Sequence, residues 1–132
     1  RNVILNCSKN VFLNDVYIGV GARNAQFILD SSYLMVNFYK GYFFHFNSHN
    51  QFLTFGINYG IGMLCIFVGL LGMIYKKVKN YPLGFIFIFS CMFIMLTESI
   101  LERQMGIYYF LFFGLLFLST TYNKKETMAN PK

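Results

Sequence analysis

Three uncharged, strongly apolar blocks, residues 52–75, 81–97 and 106–123, dominate the chain. A helix that crosses a bilayer needs about 20 predominantly apolar residues, within a range of roughly 17 to 25. The first and third blocks meet that length directly. The second meets it by extending through residues 98–101. The expected fold class is therefore an all-α integral membrane protein with three C-terminal transmembrane helices, at about 48–75, 82–101 and 106–122. A loop at 76–81 and a hairpin near 98–105 would join them, and a tail at 124–132 would follow. Composition agrees: 56% of the residues are hydrophobic and 12% are charged, against about 25% charged in soluble domains.

The net charge of +6 is distributed in a way that points to membrane topology. Lys76, Lys77 and Lys79 lie between the first two spans, and Lys124, Lys125 and Lys132 follow the third. Basic residues collect on the cytoplasmic side of a membrane. That assignment puts the C-terminus in the cytoplasm, and residues 1–47 and the 98–105 hairpin on the opposite, periplasmic face. The lysines form no basic patch with polar surroundings, so nucleic acid is not an expected partner. Cys7, Cys65 and Cys91 are widely spaced, with no CxxC and no zinc-ligand spacing. Neither a metal nor a cofactor is expected.

Residues 1–47 are too polar and irregular to cross a bilayer. The chain starts at Arg1 without a cleavable signal, so it reads as the C-terminal part of a longer protein, inactive on its own. Residues 1–23 read as extended or loop structure ending at Gly19-x-Gly21, a turn that lacks the rest of a nucleotide fingerprint. A helix is expected from Asn24, as its cap, to Tyr39. Phe27, Ile28, Tyr33, Leu34 and Phe38 would give its apolar face, and Lys40-Gly41 its stop. The aromatic run "YFFHF" at 42–46, with His45, suits a membrane interface. Together these describe part of a periplasmic loop with a short amphipathic helix lying on the membrane.

The stretch "FNSHNQ" carries the chemistry. Ser48 and Gln51 have capping-box spacing, S-x-x-Q, which would put His49 in the first turn of a helix. The positive end of a helix dipole favours an anion there. A neutral imidazole can take a proton from a sugar hydroxyl, with Ser48, Asn50 and Gln51 orienting the partners. Within the first span, Gly56 and Gly60, and again Gly69 and Gly72, would allow close helix packing, and Asn58 would bond to a neighbouring helix. Glu98 and Glu102 are four apart, on one face of a helix. Such a pair is compatible with acid–base chemistry; in the structural alternative Glu102 and Arg103 mark the water boundary, and Glu98 pairs with a basic residue beyond this chain.

The segment "HNQFLTFGINYGIGMLCIFVGLLG" resembles the H-N-[QE]-aromatic-L…G-x-x-G segment of the O-antigen ligase and polymerase family, although its glycines here are spaced Gly60-x-Gly62. "IGVGARNAQFILDSSY" is similar to the start of that family's large periplasmic loop. "LTESILERQMGIYYFLFFGLL" is similar to its last periplasmic hairpin and final span. The three segments keep the family's order over most of residues 17–118. The resemblance implies a fragment of a GT-C-like, multi-pass glycosyltransferase of the bacterial inner membrane. Such enzymes move a glycan from undecaprenyl diphosphate to an acceptor sugar hydroxyl in cell-surface polysaccharide biosynthesis, without metal or nucleotide sugar. The acceptor is lipid A–core in the ligases and another lipid-linked repeat unit in the polymerases, and these residues fit either. The family's loop histidine matches His49, which implies the role of general base, with Asn50 beside it. Arg23 lies in the loop that carries diphosphate-binding arginines in the family. A small non-catalytic membrane subunit or assembly factor, using His49 only as a helix cap, is the reading outside the family.

Overall fold

The structure, a computed structural model, describes residues 1–129, with side chains described through Thr121. The described residues form helices and connecting turns, without strands. The helices are α1 (Asn2–Asn14), α2 (Ala22–Met35), α3 (Tyr39–Phe43), α4 (Gln51–Val78), α5 (Pro82–Met95) and α6 (Gln104–Ala129), with a 3-10 turn at Ile100–Glu102. They divide into two compact units. One comprises residues 1–67 with 95–99; the other comprises residues 68–94 and the chain from residue 100.

Residues expected to be extended form α1. Its buried residues Ile4, Cys7, Ser8 and Val11 fall at the three- and four-residue spacing of one helical face. The intervening asparagines are weak helix formers, so packing rather than propensity holds this helix. Its buried face meets Ala25, Leu29 and Tyr33 of α2 and Ile57 of α4 in one core. α2 also starts earlier than expected. Its N-cap is Gly21, at φ 81°, and Asn24 donates its side-chain amide back to the Val20 carbonyl. α2 ends at Met35, and Lys40-Gly41 lies within α3 rather than stopping a longer helix.

Tyr33 is fully buried in this core and donates its hydroxyl to the Phe46 carbonyl at 3.1 Å. Burial pushes its phenol up from 10.0 to about 12. Between those values an unfolded chain gives up a proton that the fold retains, so stability falls as pH rises through the window. Tyr33→Phe should flatten that part of the stability–pH profile, measured as the unfolding midpoint by circular dichroism in detergent.

α4 is not one straight rod. Gly60 has φ 76° and ψ −178°, outside helical geometry. Three of the backbone groups freed there bond to the loop before α2. Val20 N–H donates to the Ile57 carbonyl at 2.8 Å, Gly21 N–H to the Asn58 carbonyl at 3.1 Å, and Ile61 N–H to the Val16 carbonyl at 2.7 Å. A helix break is stable only when the freed polar groups find such partners. The break is also a sharp bend. In a straight helix, residues 55 and 67 would be separated by about 18 Å along the axis. Instead the Phe55 and Phe67 rings stack at 4.2 Å, and Phe52 lies 6.0 Å from the same ring. The expected first span is therefore two arms, residues 51–59 and 61–78. Gly56 does serve close approach, but to the Phe12 ring of α1, while Gly60 meets the Tyr17 carbonyl; Gly69 and Gly72 have no close neighbours.

In the second unit, Lys76 and Lys77 fall in the last turn of α4, where cations complement the helix dipole; the expected loop thus begins later. α5 starts at Pro82, a position that proline's fixed φ favours. The Phe87 ring packs among Tyr109, Phe110, Phe113 and Phe117 of α6 at centroid distances of 5.3–6.2 Å. α5 exposes Leu83, Phe85, Ile86, Phe89 and Phe93 on its remaining surface. A helix that is apolar all round needs an apolar environment.

By length and composition, two helices can cross a membrane: α4 and the Gln104–Thr121 part of α6. α5 has 14 residues, about 21 Å of rise, short of a hydrocarbon layer of about 30 Å. It stops at Met95 rather than extending to residue 101. α6 continues through residues 124–129 of the expected tail; residues 130–132, Lys132 included, lie outside the described residues.

Candidate functional site

The turn into α4 holds the site, and its capping differs from the expected pattern. Asn50, not Ser48, is the N-cap. Its Oδ1 accepts the Leu53 N–H at 3.0 Å, and its carbonyl accepts the first helical bond, from Thr54, at 3.0 Å. A side-chain oxygen bonded to the third helical N–H is what defines such a cap. Ser48 and Gln51 are both buried. Ser48 Oγ lies 2.9 Å from the Asn50 carbonyl and 2.6 Å from Thr54 Oγ1. Thr54 Oγ1 in turn lies 2.8 Å from Ser99 Oγ. This buried hydroxyl chain ties the start of α4 to the segment after α5. Asn50 adds a second tie by donating Nδ2 to the Leu96 carbonyl at 3.1 Å.

His49 therefore stands just outside the helix rather than in its first turn. Its backbone is left-handed, at φ 47°, and its N–H is held by Asn47 Oδ1 at 3.1 Å. Phe46 packs edge-on against the imidazole at 5.9 Å. Nδ1 lies 3.2 Å from both carboxylate oxygens of Glu98. With Nδ1–H donating to that carboxylate, Nε2 is the nitrogen left to accept a proton. The pair borders an open cavity of about 260 Å³ lined by Arg1, Ile4, His49, Thr97 and Glu98.

Glu98 is thus brought to a partner inside the chain, not to a base beyond it. Nor does it share a helical face with Glu102: Glu98 sits in an irregular turn, and Glu102 ends the 3-10 turn of the second unit. Arg103 follows that turn, exposed, its N–H bonded to the Ile100 carbonyl. Arg23 is exposed in the first turn of α2, and the hydrogen bonds and ion pairs of His49 run to Asn47 and Glu98 instead. Asn58 contributes its backbone carbonyl to the Gly60 break.

Sequence reasoning missed a second histidine–carboxylate pair. His45 Nδ1 lies 2.6 Å from Oδ2 of the buried Asp30, whose Oδ1 accepts Gln26 Nε2 at 2.8 Å. His45, assigned only to an aromatic interface run, secures the turn after α3. The available signal was Asp30 itself, an acid on the apolar face of α2, because a buried carboxylate needs partners. Arg1 and Thr97 of the cavity carried no sequence signal. No group of three or more metal-ligating side chains occurs among the described residues. No protein-family model, curated protein or solved structure matches the chain.

Proposed function

We propose that the chain forms the loop and membrane-embedded end of an O-antigen ligase-like glycosyltransferase, with His49 as general base. The observation that carries the reading is the His49–Glu98 pair, which joins the histidine of one family-like segment to the acid of another at an open cavity. In the transfer, Nε2 of His49 takes the proton of an acceptor sugar hydroxyl. The hydroxyl oxygen bonds to the anomeric carbon of the donor glycan. The bond from that carbon to undecaprenyl diphosphate breaks, and its electron pair leaves on the diphosphate. Glu98 fixes the imidazole tautomer and balances the charge it gains, the role a carboxylate plays behind a catalytic histidine.

The orientation follows from the charge pattern. By that pattern the lysine-bearing segments after the first and third apolar blocks belong to the cytoplasmic side, and the segment that carries His49 to the periplasmic side. Lipid A–core is the proposed acceptor. The test is transfer from an undecaprenyl-diphosphate glycan by the full-length protein in the presence of a chelator. Chelator-resistant product on lipid A–core supports the reading. Product only on a second lipid-linked glycan makes the protein a polymerase. Absence of product with both acceptors overturns the assignment.

A further inference from the structure

The bend at Gly60 coincides with a change in the surroundings of α4. Before it, Gln51, Thr54, Gly56 and Ile57 are buried in the first unit, two of them polar and held by hydrogen bonds or other polar contacts. After it, Ile61, Met63, Ile66, Val68 and Leu70 are all exposed. The first arm is the wall of a folded unit; the second presents apolar side chains outward around most of its circumference. At the bend itself, the loop that completes the broken hydrogen bonds carries Tyr17 and Ile18, 86% and 84% exposed, next to Tyr59 at 44%. At the other end of the second arm stand Tyr75, Lys76 and Lys77. Tyrosines and lysines at the two ends of an apolar helix are interface anchors. The arm between them, residues 61–78, rises about 27 Å, close to the hydrocarbon thickness.

We infer that the Gly60 bend is where the chain enters the lipid: residues 61–78 cross the bilayer, residues 51–59 lie along its surface, and the Tyr17–Ile18 tip sits at headgroup level. The broken backbone supports this placement, because the Ile57 and Asn58 carbonyls and the Ile61 N–H at the bend are bonded to the 16–21 loop rather than left to water. Phe52 and Phe55, which reach Phe67 across the bend, fill the angle between the two arms. The arrangement keeps His49 near the surface instead of a helix length above it. The inference needs only that α4 enters a bilayer and is independent of the transfer reaction.

The chain contains no tryptophan; with any tryptophan outside it replaced by phenylalanine, each variant reports one position. The experiment places Ile18→Trp, Tyr59→Trp and Leu70→Trp in the full-length protein, in vesicles of lipids brominated near the headgroup or near the chain end. Ile18→Trp and Tyr59→Trp should lose more emission to shallow bromines than to deep ones, and Leu70→Trp the reverse. Tyr17→Trp is a second, aromatic-for-aromatic probe of the tip and should behave as Ile18→Trp. Stronger quenching of Tyr59→Trp by deep bromines would mean that α4 crosses as one rod from Gln51, overturning the inference. So would an Ile18→Trp quenched by aqueous acrylamide and untouched by bromolipid. An unquenched Leu70→Trp would remove α4 from the bilayer altogether.

Discussion

Replacing His49 with alanine in the full-length protein should lower glycan transfer about 10²–10⁴-fold, the range a positioned general base contributes. The loss should fall on kcat, because the role proposed for Nε2 is at the reacting hydroxyl rather than on the bulk of either glycan. Protein level in the membrane should be unchanged, since His49 is half-exposed and lies outside α4. Glu98→Gln is the sharper variant. It keeps the size and a hydrogen-bonding group but removes the charge opposite Nδ1, and it can present an N–H to a nitrogen that must itself donate. Transfer should fall about tenfold or more, as for a carboxylate lost from behind a catalytic histidine, and Glu98→Asp should recover part of it. Wild-type kcat in His49→Ala excludes the base role. A Glu98→Gln variant that changes only KM would make Glu98 a binding residue instead.

The second large effect is structural. Gly60→Ala should destabilise the first unit by about 1–3 kcal/mol from backbone strain alone, the cost of a non-glycine residue in that region. The real loss should be larger, because an added Cβ would run into the Tyr17 backbone. Gly19→Ala should behave similarly: its φ is 73°, and a Cβ there would lie 2.6 Å from the Gly60 nitrogen. Gly62→Ala, with no atoms within 4 Å of its Cβ position, should be close to neutral. Thermal unfolding in detergent, together with proteolysis of the 15–21 loop, separates these outcomes. A Gly60→Ala protein as stable and protease-resistant as wild type would mean that α4 tolerates a continuous helix through this point.

The two effects share a structural basis. The 16–21 loop completes the broken backbone of α4, and the first arm carries the Asn50 cap and Thr54, through which His49 and Glu98 are held in one unit. A variant that straightens α4 should therefore also depress transfer, with lowered thermal stability, whereas His49→Ala should depress transfer alone.

What could be read from the sequence was what depends on local composition and period. Uncharged apolar blocks can form helices without regard to what surrounds them, so α4, α5 and α6 were legible. So was the polar turn at 46–51 that introduces α4. The α1 helix was not, because its four buried residues are separated by asparagine and lysine and gain their advantage only against α2 and Ile57. The cap could not be assigned from spacing, since Ser48 and Asn50 both fit the start of a helix. The choice fell to Asn50 because the Ser48 hydroxyl turns inward to Thr54.

The sequence by itself determined that this chain is rich in apolar helices with basic ends, because hydropathy and charge are properties of the residues. Only the tertiary structure decided that the longest helix bends at a glycine. That bend requires Val16, Val20 and Gly21, some 40 residues earlier in sequence (roughly a 40-residue loop to close), to supply the backbone bonds it lacks. The same is true of the candidate site. His49 and Glu98 are separated by 49 positions, and no local pattern links an imidazole to a carboxylate at that distance. Their meeting depends on the buried hydroxyl chain of Ser48, Thr54 and Ser99, whose hydrogen bonds form only when water is excluded from all three.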